Sequence, residues 1–160
     1  MYTLDLDSSY KHRLLAEIHV AGKYDKPYCI DCIIDTGCIN TLIDETVLRN
    51  TKHTELGFSR TTHLAGKSFS ANAVVLLQVD FGGLKADKVI VFAAPLVGTP
   101  VYGRMLLGLN TMNNWIYTVK RTSHVIEFSE SQSLPMGAKA KNRYTNYFDL
   151  HGKYVLVEAH

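Results

Sequence analysis

Two apolar runs, Val74–Phe81 and Leu84–Phe92, are joined by Gly82-Gly83 alone. A two-residue glycine link between such runs is a strong signal for a tight hairpin, and it commits this part of the chain to antiparallel sheet. Related patterns recur elsewhere. Leu14, Ala16, Ile18 and Val20 alternate with Arg13, Glu17 and His19, the period-two signature of a half-buried strand. A loop carrying Gly22 and Pro27 leads into a second strand from Tyr28 to Ile34. Thr61–Ala65 and Ser68–Ala73 flank Gly66-Lys67, which predicts a hairpin with glycine at the first central position of a type II′ turn. Ile116–Lys120 and His124–Phe128 predict a further one. Thr41–Ile43 reads as a short strand. Asp44 stands where it can N-cap a short helix, DETVLRN, and Asn110 or Thr111 where it can cap a second, TMNNW. The fold class expected is all-β: a closed barrel or sandwich with one or two short helices.

A chain of 160 residues, 46% hydrophobic and 20% charged, is long enough for one domain with its own core. The stretch SESQSLPMGAKAKN is polar and rich in breakers. Residues 1–128 therefore read as the folded domain, 129–143 as a polar linker, and 144–160 as a C-terminal β-hairpin extension. The net charge of +2 is mild, and no basic run is interleaved with aromatics, so no nucleic-acid partner is expected. The first residues, MYTLDLDSSYKHRL, lack the basic start and apolar core of a secretory signal. The longest apolar stretch, Val89 to Val97, is too short to span a bilayer. Three cysteines, an odd number without a signal, fit reduced thiols and a cytoplasmic location. Cys29 and Cys32 form a CxxC, but strand alternation sends residues three apart to opposite faces, so ordinary apolar packing is expected of them.

The chemistry concentrates in the run IIDTGCINTLI. Ile33 and Ile34 lead into Asp35-Thr36-Gly37, and Leu42 and Ile43 restore an apolar strand. A carboxylate at the end of a buried apolar strand is costly unless the structure satisfies it, which marks Asp35 as a functional candidate. Gly37 lets the backbone turn tightly, so that amide N–H groups can reach that carboxylate. The chain carries only one Asp-Thr-Gly. If that carboxylate does aspartic-protease chemistry it needs a second one, and a second copy of the same chain is its simplest source.

Three features taken in order give the chain its resemblance to the retropepsin-like aspartic proteases, the single-domain homodimeric branch of the pepsin clan. They are Ile33-Ile34-Asp35-Thr36-Gly37, a glycine-tipped hairpin at Ala65, Gly66 and Lys67, and Leu106-Leu107-Gly108 before a short helix; a strand pair ending in VIEF follows. The resemblance spans roughly residues 12 to 128. It implies a closed barrel with a flap hairpin, and an endopeptidase in which Asp35 of each of two subunits shares one proton with the other. The charged carboxylate activates water, while the protonated one hydrogen-bonds the scissile carbonyl. Activity would be bell-shaped in pH. By resemblance, Thr36 reaches across the two-fold axis to brace the partner loop. The hairpin at Gly66 closes over an extended peptide, and Leu106, Leu107 and Gly108 support the active-site loop from the core. The implied partners are a second copy of the chain and a peptide or protein substrate, with no cofactor. Many retroviral members brace this loop with an Asp–Arg pair; the corresponding positions here are Ile39 and Leu109.

Plainer readings stand beside these. Asp35 can be a loop residue bonding its own backbone, and Gly66 a simple turn glycine. Lys67 reads as a solvated tip residue. Asp31, Asp44 and Asp80 fit strand-face or capping positions. The seven histidines show no metal-ligand spacing, so no metal site is expected, and Cys38 has no evident histidine partner. Two alternatives to constitutive proteolysis remain. One is a non-catalytic dimerisation or peptide-binding module. The other is a protease inhibited by its own C-terminal tail, whose hairpin, Tyr144 to Glu158, otherwise contributes to the dimer interface or covers an exposed edge.

Overall fold

The computed structural model describes residues 2–9, 13–35, 37–112 and 115–130. Ten strands and two short helices follow one another: β1 (Tyr2–Asp5), β2 (Leu14–Ala21), β3 (Pro27–Ile34), β4 (Leu42–Asp44), α1 (Glu45–Leu48), β5 (His53–Leu64), β6 (Lys67–Phe81), β7 (Leu84–Ala94), β8 (Met105–Leu107), α2 (Leu109–Met112), β9 (Trp115–Lys120) and β10 (Val125–Glu130). The protein is all-β, as the turn-punctuated sequence implies.

Seven strands form one sheet in the order β2-β3-β8-β4-β7-β6-β5. A further pairing of β2 with β6, at His19 opposite Asp80, closes the first six of these into a barrel. Closure leaves only β5 as an outer strand, which limits the unpaired backbone edges a sheet this size would otherwise present. Sequence alternation follows the barrel wall. On β2, Ile18 and Val20 point inward and are buried, while Glu17 and His19 face out. The β6–β7 hairpin turns at Gly82-Gly83 with Phe81 opposite Leu84, in the register expected. Its second strand carries six consecutive buried residues, Val89 to Ala94, because both of its faces are covered. Ile18, Ile33, Leu42, Leu76 and Val89 are fully buried; each such side chain contributes about 1.5–3 kcal/mol.

A second, three-stranded sheet has the order β1-β10-β9. β9 and β10 are the expected hairpin, with Lys120 opposite Val125. His124 belongs to its turn, at φ +56°, and not to the strand. β10 continues to Glu130, two residues beyond the boundary read at 128. The rest of the polar segment and the terminal hairpin lie outside the described residues. Among the described residues, no helix is long and apolar enough to cross a membrane.

Both helix-cap expectations need correction. Asp44 stands at the N-cap position of α1, yet its side chain makes no capping bond. Its carboxylate instead accepts the Leu96 and Gly103 amides at 2.9 and 3.0 Å and the Thr46 hydroxyl. Helix α2 begins at Leu109, so Asn110 and Thr111 lie inside it. Both are recruited to the loop that follows β3.

Candidate active site

Asp35 stands at the mouth of the barrel, where β3 ends. Its strand is held on both sides: β2 pairs antiparallel, with Leu14 opposite Ile34, and β8 pairs parallel, with Ile34 opposite Leu107. The Asp35 N–H donates to the Leu107 carbonyl at 3.1 Å, so the backbone below the carboxylate is fixed. Leu106 and Leu107 are buried beside Ile33 and Ile34. The apolar segment before Gly108 is thus the neighbouring strand of the one that presents Asp35.

The side chain is gripped from its own loop. The Gly37 N–H donates to Asp35 Oδ1 at 2.9 Å, and the Cys38 N–H closes the turn onto the Asp35 carbonyl at 3.2 Å. A Cβ at Gly37 would sit 3.2 Å from Oδ1, crowding the oxygen that the amide holds. The other oxygen, Oδ2, lies 3.5 Å from Arg13 Nη1, and the Asp35 side chain is 25% exposed. One carboxylate oxygen is thus held by a backbone amide within its own loop, and the other faces a partly exposed guanidinium. Thr36 lies outside the described residues.

Between Cys38 and Thr41 the loop is held to the 108–111 segment by main-chain and hydroxyl groups. The Leu109 and Asn110 amides donate to the Cys38 and Ile39 carbonyls at 2.8 and 2.9 Å. Asn110 Oδ1 accepts both the Thr41 amide, at 2.8 Å, and the Thr41 hydroxyl, at 2.6 Å. The Thr41 oxygen also meets the Thr111 hydroxyl at 2.6 Å and accepts the Gly108 amide at 3.1 Å. Thr41 and Thr111 are fully buried, and buried polar groups persist only when so satisfied. Gly108 is required by close approach: a Cβ there would stand 2.4 Å from the Asn40 carbonyl oxygen and 2.9 Å from that of Cys38. Overpacking of that kind costs about 1–3 kcal/mol. The Cys38 thiol donates to the Asn40 carbonyl at 3.2 Å. Burial raises its pKa above the usual thiol value, opposed by that hydrogen bond, and the sulfur is no nucleophile candidate.

The second strand pair near the site is the β5–β6 hairpin. Its turn differs from the expected one. Leu64 pairs with Lys67, and the central residues are Ala65 and Gly66, at φ +53° and +74°. Two positive φ values make a type I′ turn, which matches the right-handed twist of the strands. Ala65 therefore occupies a position that favours Asn or Gly. Gly66 has open space around it. Lys67 is exposed, but its ammonium lies against the 95–104 loop: a Cβ at Gly98 would stand 2.5 Å from Nζ. The hairpin is tied to the Asp35 loop through β5, where Arg60 Nη1 donates to Asn40 Oδ1 at 3.2 Å and its guanidinium lies 5.2 Å from the Phe92 ring centre.

Arg13, Asn40, Thr41, Arg60 and Asn110 are the contributors that the sequence did not reveal. Asn40 and Thr41 lie in the IIDTGCINTLI run but outside the Asp-Thr-Gly itself, and each of the five acts through a partner 20 or more residues away. Of the predicted residues, the structure brings Asp35, Gly37, Leu106, Leu107 and Gly108 into one assembly. Ala65, Gly66 and Lys67 form a separate hairpin tip. Ile39, in the Asp35 loop, is exposed, as are Tyr24, Val97 and Tyr102 elsewhere on the surface.

No family model matches the chain, and no curated protein matches it. Among solved structures it is similar to the crystal structure of a retropepsin-like aspartic protease from Rickettsia conorii, at 12% sequence identity and a TM-score of 0.45, over 78% of this chain and 94% of that one.

Proposed function

We propose that the protein is an aspartic endopeptidase that works as a homodimer, with Asp35 of each chain supplying one carboxylate of the dyad. The observation that carries this reading is the state of Asp35 itself. The residue ends a buried strand, has one oxygen held by the Gly37 amide at 2.9 Å, and keeps its side chain one-quarter exposed. A purely structural aspartate in the same chain, Asp44, is buried and has both oxygens occupied by backbone amides. The contrast supports a reactive role for Asp35 and a scaffolding role for Asp44.

In this reading water is the nucleophile. One carboxylate of the pair takes its proton as it attacks the scissile carbonyl; the other, protonated, donates to the carbonyl oxygen. Gly37 orients Asp35 Oδ1, and the tightly bonded loop from Cys38 to Thr41 keeps that orientation against the barrel. The β5–β6 hairpin would cover the peptide and add strand-type hydrogen bonds to it. Arg13 pairs with Asp35 Oδ2, and in this reading a second carboxylate or a substrate that needs this oxygen displaces it. Partly exposed pairs of this kind contribute about 0–1 kcal/mol, a small barrier to displacement.

Incubating wild type and Asp35→Asn with a diverse peptide pool, from acidic to neutral pH, and reading new termini by mass spectrometry tests the proposal. The Asn variant is nearly isosteric but cannot share a proton. Cuts made by wild type and lost in Asp35→Asn are expected. Equal cutting by both rules out the dyad, and a dimer that cuts nothing at any pH favours the binding-module reading.

A further inference from the structure

On the outer wall of the barrel, away from the strand end that carries Asp35, β2 and β3 bring together ligand-type side chains that the candidate active site does not use. Glu17 and His19 project from the same face of β2, two residues apart. The antiparallel register places Cys29 directly opposite His19, and Asp31 directly opposite Glu17. All four are exposed. Cys29 thus departs from the apolar packing expected of it; Cys32, on the opposite face, is the one buried in the core. The sequence conceals the cluster because its ligands come from two strands in register and not from one spaced motif.

The distances are those of a coordination sphere. Cys29 Sγ lies 3.7 Å from His19 Nε2, and His19 Nε2 lies 3.5 Å from Glu17 Oε1. One ligand atom from each residue falls within 4.8 Å of the others. A tetrahedral zinc-type centre has metal–sulfur, metal–nitrogen and metal–oxygen bonds near 2.3, 2.05 and 2.1 Å, which set sulfur–nitrogen and nitrogen–oxygen separations of about 3.6 and 3.4 Å. The side chains already stand at those separations.

The surrounding charge favours a cation independently. Glu17 and Asp31 face each other across the strand pair, an arrangement of like charges that is destabilising without a cation. Among the described residues neither pairs with a lysine or arginine. On the other side of β2, Asp80 is in register with His19. Glu17, His19, Asp80 and Asp5 line a cleft of about 460 Å³. We propose that Glu17, His19 and Cys29 bind a divalent first-row transition metal of the zinc class, leaving a coordination position open toward that acidic cleft. Thiolate, imidazole and carboxylate together select zinc, cobalt or copper over the hard cations magnesium and calcium.

Cobalt(II) added to the reduced, metal-free full chain is the direct probe. One equivalent per chain is expected, with a thiolate-to-cobalt charge-transfer band and the intense visible bands of a tetrahedral centre, bleached by one equivalent of zinc. Cys29→Ser should abolish the charge-transfer band. His19→Ala and Glu17→Gln should each weaken binding by about tenfold or more, since losing a ligand costs at least what losing an outer-shell partner does. Cys38→Ser, whose thiol lies in the Asp35 loop, should bind like wild type. Circular dichroism of each exposed-site variant reports that the barrel is intact. A band that survives Cys29→Ser, binding unchanged by His19→Ala, or no cobalt spectrum from wild type at millimolar metal would each overturn the site.

Discussion

Asp44 shows how one residue can be seen in the sequence and misjudged. It stands one position before a helix, so a cap was the natural reading, yet it is 1% exposed and bonds Leu96 and Gly103 from distant loops. Local spacing carries no information about those partners. Burial pushes its carboxyl upward, but the hydrogen bonds from Thr46, Leu96 and Gly103 outweigh burial and leave it below its ordinary value of 3.8. A carboxyl depressed in the folded state contributes stability above its unfolded value and loses it as pH falls through the lower folded one. Asp44→Asn should therefore be less stable than wild type at neutral pH, with the gap narrowing below about pH 4; denaturant melts across pH 2–7 measure it. Asp44→Ala strands buried amides and should cost about 1–3 kcal/mol at pH 7. A gap that stays constant to pH 2 would show that charge plays no part. Asp35 was legible for the opposite reason: its flanking isoleucines, its glycine and its amide contact all lie within a few residues of each other.

Among elements, those with strict alternation or a glycine-paired turn were readable, and those with interrupted patterns were not. The β6–β7 hairpin and β2 follow their sequence signals closely. The first half of β5, from His53 to Arg60, was missed because Gly57, at φ +79°, and a register shift between Glu55 and Ser59 break its period. β1 was missed because four residues with one buried side chain give too short a pattern, and its partner β10 lies at the far end of the described chain. The β5–β6 turn was placed one residue late: glycine at position 66 marks a turn but does not say which central position it fills. Replacing Ala65 by Asn gives the Asn-Gly pair that a type I′ turn prefers, relieving a left-handed alanine. It should raise stability by about 0.5–1 kcal/mol, read as a higher thermal midpoint. A lower midpoint would mean that the turn is of another type.

At the scale of the molecule, the barrel's closure and the Cys38–Thr41 loop bonded to α2 hold the backbone around Asp35. Closure through His19 opposite Asp80 was beyond the sequence, since it depends on strands that meet only after the others have paired. A single chain carries a single Asp-Thr-Gly, so the account requires two copies about a two-fold axis. Mixing tests this most directly. Wild type and Asp35→Asn are combined in equal amounts, exchanged to equilibrium at fixed total concentration, and assayed on a peptide that wild type cuts. If the dyad takes one carboxylate from each chain, only wild-type pairs are active, and the rate falls to about one-quarter of the all-wild-type value. A rate of one-half would mean that each chain acts alone, contradicting the shared dyad.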